Sequence, residues 1–211
     1  ADGVIPHPPA WLRRAPEIAR PQGALLIADE VMTGFGRTCV GRGESESGEP
    51  PTWRPAHPAP LFACQRAGVR PDFQCLAKGL TGGYLPMAAT LTTEEVFDAF
   101  LGEYHEVKTF FHGHSYTANQ LGASAALASL EVLQTPASIR ARARLEETLR
   151  AELQALWSLP WVGDVRQVGL IVGVELVRDW RRRTPFDLRE CTGLRVCAAM
   201  ARRGVLTRPI G

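Results

Sequence analysis

Two charged residues follow short apolar runs, at positions where a side chain could take part in chemistry. Asp29 follows the run 24–28, and Lys78 follows the run 73–77. Runs of this length and composition are typical of parallel strands that are buried on both faces. Because ligands of an open parallel sheet bind beyond the carboxyl ends of its strands, we expect both side chains to face the same crevice.

A lysine and an aspartate in one crevice suggest a specific kind of chemistry. A lysine amine can form a Schiff base with an aldehyde cofactor. A carboxylate can pair with a pyridinium nitrogen and keep it protonated, so that the ring accepts the electrons of a carbanion. Gly79, Gly82 and Gly83 would let the backbone pass close to such a ligand.

Position alone leaves a plainer interpretation open. A lysine after a strand is commonly a solvated loop residue, and an Asp-Glu pair such as Asp29-Glu30 is commonly part of a turn. On this ground the two residues predict only an α/β sheet with a site for an anionic ligand.

The residues around these runs predict the elements that position them. The first is a helix over 10–20, weakened by Pro16 and closed by Gly23. Downstream we predict a strand and three helices: a strand over 87–92, then helices over 93–101, 118–133 and 136–157. The helix at 118–133 is rich in small residues and is expected to be buried, whereas that at 136–157 is amphipathic and is expected at the surface.

The pattern of predicted helices and strands changes after Pro160. Two strands over 162–177, a helix over 188–203 and the beginning of a strand at 205–210 suggest a smaller α+β domain. We therefore predict an α/β fold in two parts: a partial large domain with a mainly parallel sheet over 1–160, and a partial small domain over 161–211. Residues 39–60, rich in Gly, Pro, Ser, Glu and Arg, are expected to be an irregular insertion in the first part.

The composition is that of an ordinary globular protein. Of the 211 residues 45% are hydrophobic, and the net charge of +2 is too close to balance to imply nucleic acid or an acidic membrane surface as a partner. There is neither an apolar run of about 18 residues nor a signal-peptide pattern, so we expect no membrane span. Five cysteines without C-x-x-C spacing predict reduced thiols in the cytoplasm.

Three histidines that lie close in sequence, His105, His112 and His114, could suggest a metal site. No cysteine or acidic residue is suitably spaced to complete a ligand set with them. We therefore expect no bound metal.

Three long motifs occur in order along the chain. Residues 25–37 read LLIADEVMTGFGR, residues 71–86 read PDFQCLAKGLTGGYLP, and residues 108–119 read KTFFHGHSYTAN. Together they resemble the class III aminotransferases, a family of enzymes that depend on pyridoxal 5'-phosphate. The resemblance covers nearly all of the chain outside 39–60 and implies the type I aminotransferase fold.

The resemblance also implies roles for individual residues. Lys78 would hold pyridoxal 5'-phosphate covalently and move protons, and Asp29 would bind the pyridine nitrogen. Gly113 would contact the substrate, and the planar guanidinium of Arg208 would grip the substrate carboxylate.

A second group of roles would serve a neighbouring subunit. His114 and Ser115 would meet the cofactor phosphate in the site of the other subunit of a homodimer. Ser115 stands before a helix that is predicted to begin near Ala118, and the N-terminal amides of a helix attract phosphate.

Within the family, residues 78–92 and 108–119 are most similar to members that act in biotin synthesis. The expected reaction moves the amino group of S-adenosylmethionine to 8-amino-7-oxononanoate and gives 7,8-diaminononanoate. Two alternatives stay open: a class III enzyme with another ω-amino donor, and a catalytically inactive fragment. The second arises because the chain begins at Ala1 without the family's N-terminal portion and ends at Gly211, just after a strand is predicted to begin.

Overall fold

The computed structural model describes residues 3–38 and 60–210. Over these residues the chain forms helices and strands in the order α1 Pro9–Ala19, β1 Ile27–Asp29, α2 Ala63–Arg66, β2 Phe73–Leu76, β3 Ala89–Thr92, α3 Glu94–Asp98, α4 Gln120–Gln134, α5 Pro136–Leu153, β4 Val162–Val168, β5 Ile171–Asp179, β6 Thr184–Pro185 and α6 Thr192–Ala201. The insertion predicted at 39–60 lies, apart from Pro60, outside the described residues. This mixture of helix and sheet confirms the predicted α/β class.

The chain divides into two compact units. One comprises His7–Ala143, and the other comprises Ala1–Pro6 with Arg144–Gly211. The domain boundary predicted near residue 160 therefore lies inside the second unit. As a statement about domains, that boundary stays a prediction.

The sheet of the first unit has the strand order β1-β2-β3. Strands β1 and β2 are parallel, with Asp29 opposite Cys75, whereas β2 and β3 are antiparallel. Asp72 connects the three strands at the end of the sheet opposite Asp29, just before β2 begins. Its carboxylate accepts the N–H of Leu26 at 2.7 Å, and its backbone carbonyl accepts the hydroxyl of Thr92 at 3.0 Å.

Strand β1 is not buried on both faces, contrary to the sequence prediction. The side chain of Ile27 is 65% exposed, and that of Leu25, just before the strand, is 56% exposed. Within the part of the chain that the structure describes, β1 is the edge strand of its sheet and has a neighbour only on the β2 side. An apolar run therefore predicted the strand correctly but not what covers it.

The core of the first unit lies between the sheet and helix α4. Its buried residues are Phe35, Leu76, Leu80 and Ala126. Helix α4 was expected to be buried as a whole, but only Gly122 and Ala126 are. Its remaining small side chains are partly or fully exposed, because one face of the helix supplies all of its contact with this core.

The second unit contains the two strands that the sequence predicted over 162–177, β4 and β5, which pair antiparallel as a hairpin and are followed by β6 and α6. The Arg166 side chain fastens the N-terminal residues to this hairpin by donating to the carbonyls of Gly3 at 2.7 Å and Val4 at 3.2 Å. The prediction that a strand begins at 205–210 is wrong, because these residues pair with no strand among those described. The N–H of Val205 instead donates to the backbone carbonyl of Met200.

Among the described helices, none is both long enough and apolar enough to cross a membrane.

Gly79 is a position where the fold tolerates no side chain. A Cβ atom there would lie 2.7 Å from the Cβ of Phe35, which is a buried core residue. We expect Gly79→Ala to lower the free energy of unfolding by about 1–3 kcal/mol, because one of the two elements must shift. Gly113→Ala is the matched control, since its Cβ would meet only Thr117 Oγ1 at 3.5 Å. Denaturant unfolding of both variants, made in the full length that the gene encodes, measures the difference; equal stabilities would contradict this packing.

Candidate active site

Lys78 lies two residues after the end of β2, in a short 3-10 turn that spans Lys78–Leu80. Its φ of +50° is in the left-handed region, which costs a residue other than glycine about 1–2 kcal/mol. Two hydrogen bonds close the turn, from Leu80 N–H to the carbonyl of Ala77 and from Thr81 N–H to the carbonyl of Lys78. The side chain of Lys78 is exposed.

The turn that carries Lys78 is supported from two sides. Helix α4 contributes Ser129, whose hydroxyl donates to the carbonyl of Gly79 at 3.1 Å. The segment after β1 contributes Phe35, which packs directly against Gly79. Thr81 is buried and donates its hydroxyl to the carbonyl of Leu85 at 2.6 Å. The strained backbone of Lys78 is thus held by its neighbours, without which such a conformation does not persist.

Asp29 is the last residue of β1, and its side chain is exposed. One carboxylate oxygen, Oδ1, accepts the N–H of Val31 at 3.0 Å. Since β1 and β2 are parallel neighbours and Asp29 stands opposite Cys75, Asp29 at the end of β1 and Lys78 just beyond the end of β2 lie at the carboxyl ends of adjacent strands. The structure therefore brings these two predicted site residues to one edge of one sheet.

Glu30 is a part of this site that sequence reasoning passed over as a turn residue. It is 2% exposed, and its Oε1 accepts the buried N–H of Cys64 at 2.8 Å. Its Oε2 accepts the hydroxyl of Thr33. Burial, and then the charge of Glu30, raise the pKa of the Cys64 thiol to about 12. The alternation of side chains along a strand was the available signal, since it turns Glu30 to the face opposite Asp29.

Arg37 closes the turn that follows Asp29 and Glu30. It donates from Nε to the carbonyl of Met32 at 2.8 Å and from Nη2 to the carbonyl of Val31 at 3.0 Å. Burial lowers the pKa of this guanidinium. These two hydrogen bonds fix the carbonyls of Val31 and Met32. The N–H of the same Val31 donates to the Asp29 carboxylate.

Gly113, His114 and Ser115 lie together in an exposed segment before α4. His114 donates its N–H to Thr117 Oγ1 at 2.9 Å, and its Nδ1 accepts the N–H of Tyr116 at 3.1 Å. The segment is therefore ordered by its own hydrogen bonds. Binding of cofactor phosphate by His114 and Ser115, and of substrate by Gly113, stays a prediction.

The start of α4 differs from the sequence prediction. The helix begins at Gln120, two residues later than expected, and Asn119 caps it. The Asn119 side chain accepts the N–H groups of Leu121 at 3.0 Å and Gly122 at 3.4 Å. These two amides of the helix N-terminus therefore already have a partner.

Arg208 belongs to the second compact unit, and its side chain is exposed. Its predicted grip on a substrate carboxylate stays a prediction. As for metals, no three His, Cys, Asp or Glu side chains of residues 3–38 and 60–210 are grouped so that they could share an ion.

The sequence and the fold have known relatives. The chain is 44% identical over 211 residues to the adenosylmethionine-8-amino-7-oxononanoate aminotransferase of Aquifex aeolicus, and the alignment covers 100% of this chain and 42% of that protein. The protein of the same name from Geobacter sulfurreducens is also 44% identical, with the same coverage. The chain thus spans about two fifths of the length of these relatives.

Two solved structures share the fold. The crystal structure of adenosylmethionine-8-amino-7-oxononanoate aminotransferase from Methanocaldococcus jannaschii matches with a TM-score of 0.83 and 39% identity, covering 99% of this chain and 44% of that one. The structure of an (S)-enantioselective omega-transaminase from Thermomicrobium roseum matches with a TM-score of 0.79 and 32% identity, covering 98% and 41%.

The model of one protein family matches nearly the whole sequence. It is the class III aminotransferase family, and the match covers residues 1–44 and 59–211. The unmatched residues 45–58 fall inside the segment 39–60 that the sequence predicted as an insertion. The chain belongs to the class III aminotransferases.

Proposed function

We propose that this chain forms part of a pyridoxal-phosphate-dependent transaminase of biotin synthesis. The reaction would move the amino group of S-adenosylmethionine to 8-amino-7-oxononanoate and give 7,8-diaminononanoate. The observation that carries the proposal is the placement of Asp29 and Lys78 at the carboxyl ends of adjacent parallel strands, in a chain of this family. The substrates follow from the names of the relatives that are 44% identical.

The residues at this sheet edge fit pyridoxal 5'-phosphate. The cofactor needs an amine for its aldehyde and a carboxylate for its ring nitrogen, and both are exposed here on well-fixed backbone. When bound, the cofactor supplies an electron sink for the carbanion that amino-group transfer requires.

Each predicted site residue would have its own role in binding the cofactor or the substrates. Lys78 would hold the cofactor and carry a proton on Nζ, and Asp29 would keep the ring nitrogen protonated. Arg208 would hold the carboxylate of each substrate in turn. His114 and Ser115 would bind the cofactor phosphate of the other subunit in a cytoplasmic homodimer, and Gly113 would lie against the substrate.

A second candidate is a class III transaminase with another amino donor. The observation that favours it is the similarity of the fold to the omega-transaminase from Thermomicrobium roseum. Both candidates use the same cofactor and the same lysine, so they differ only in the substrates.

The cofactor assignment can be tested at the two lysines of this chain, Lys78 and Lys108. In the full length that the gene encodes, Lys78→Ala should lose the visible absorbance band of protein-bound pyridoxal phosphate and its trapping by borohydride. Lys108→Ala, which removes only an ion pair with Glu106 of 2.8 Å, should retain both. A band that persists in Lys78→Ala would refute the assignment.

The amino donor is tested by single-turnover assays of the same protein. We expect S-adenosylmethionine to transfer its amino group to the bound cofactor, and 8-amino-7-oxononanoate to take it up, which mass spectrometry detects as 7,8-diaminononanoate. Transfer from other ω-amines but not from S-adenosylmethionine would favour the second candidate. No transfer from any donor would favour an inactive fragment.

A further inference from the structure

We propose that Glu30 is a positioning residue, which holds the Asp29 carboxylate in the orientation that binds the ring nitrogen of pyridoxal phosphate. This inference rests on the proposed function. It concerns a buried carboxylate that has no part in the chemistry itself.

The two neighbouring acidic residues face opposite sides of the strand end. Asp29 is exposed, whereas Glu30 is the largest side chain that is fully buried among the described residues. The backbone N–H of Glu30 donates to the carbonyl of Cys75 at 3.0 Å, so it adds one more bond to the parallel pairing of β1 and β2. Glu30 is therefore fixed on the sheet beside Asp29.

The Glu30 carboxylate fixes two further segments. Through Oε1 it accepts the N–H of Cys64, in the first turn of α2, and through Oε2 it accepts the hydroxyl of Thr33. Its backbone carbonyl accepts the N–H of Gly34 at 2.9 Å. Since a buried carboxylate is costly unless its oxygens are hydrogen-bonded, these contacts set where residues 31–34 can lie.

Residues 31–34 in turn hold Asp29. The N–H of Val31 donates to Asp29 Oδ1 at 3.0 Å, and it is the one donor to this carboxylate among the residues that the structure describes. The direction of that N–H depends on the turn that Glu30 anchors through Thr33 and Gly34. Loss of the Glu30 contacts would thus free the Val31 N–H to move, and Asp29 with it.

Four variants of the protein in its gene-encoded length test this chain of contacts. Glu30→Leu removes both acceptors, whereas Glu30→Gln keeps the length and one acceptor oxygen as a conservative rescue. Thr33→Val removes one of the two hydrogen bonds to the Glu30 carboxylate, and it replaces Glu30→Leu in the test if that variant does not fold. Glu146→Leu is the matched control, because Glu146 is a buried carboxylate of the other compact unit.

Three quantities are measured: the dissociation constant for pyridoxal phosphate, the pH midpoint of the absorbance of the bound cofactor, and the thermal unfolding midpoint. We expect Glu30→Leu to weaken cofactor binding about tenfold and to shift the pH midpoint by about half a unit, because Asp29 no longer faces the ring nitrogen. Thr33→Val should show a smaller change in the same sense, and Glu30→Gln should stay close to the unmodified protein. Glu146→Leu should lower only the unfolding midpoint.

The outcomes separate the inference from the function on which it rests. If Glu30→Leu and Thr33→Val lower the unfolding midpoint and leave both cofactor measurements unchanged, Glu30 is only a structural anchor and the inference is wrong. The inference is also wrong if Glu146→Leu changes the cofactor measurements to the same extent as Glu30→Leu. If cofactor binding in the unmodified protein does not depend on Lys78, it is the proposed function that fails.

Discussion

The parallel pairing of β1 with β2 is the constraint on which the candidate site depends. Asp29 and Lys78 are 49 positions apart in the sequence, and only the register that sets Asp29 opposite Cys75 brings them to one edge of the sheet. Parallel strands end on the same side, so each can offer a side chain to one ligand. Asp72 supports this register at the amino ends of β1 and β2, where its carboxylate accepts the N–H of Leu26.

The site is built on backbone that is held by buried contacts of two kinds. Near Lys78 the main support is packing. Phe35 packs against Gly79, and the Ser129 hydroxyl donates to the Gly79 carbonyl. These contacts stabilise the left-handed conformation of Lys78. On the aspartate side, a buried carboxylate dominates, since Glu30 satisfies donors from α2 and from the turn after β1. Phe35 belongs to that turn as well, so the supports of the two residues are continuous.

The sequence predicted the positions of the helices and strands better than their burial and their neighbours. A short apolar run followed by Asp29 or Lys78 was enough to place both residues at strand ends, because strands have this length and helices are usually longer. It could not reveal that β1 is an edge strand, which depends on contacts far along the chain. Glu30 escaped notice because alternation sets it on the face opposite Asp29 but does not say which of the two carboxylates is buried. The start of α4 was predicted two residues early because the sequence does not show that the Asn119 side chain accepts the first amides of the helix.

The most direct test of the cofactor site is a crystal structure of the protein, in its gene-encoded length, with pyridoxal phosphate bound. We predict continuous density between Lys78 Nζ and the cofactor, with an Asp29 carboxylate oxygen about 2.7–3.0 Å from the ring nitrogen. A cofactor bound elsewhere, or an Asp29 carboxylate turned away from the ring, would contradict this site.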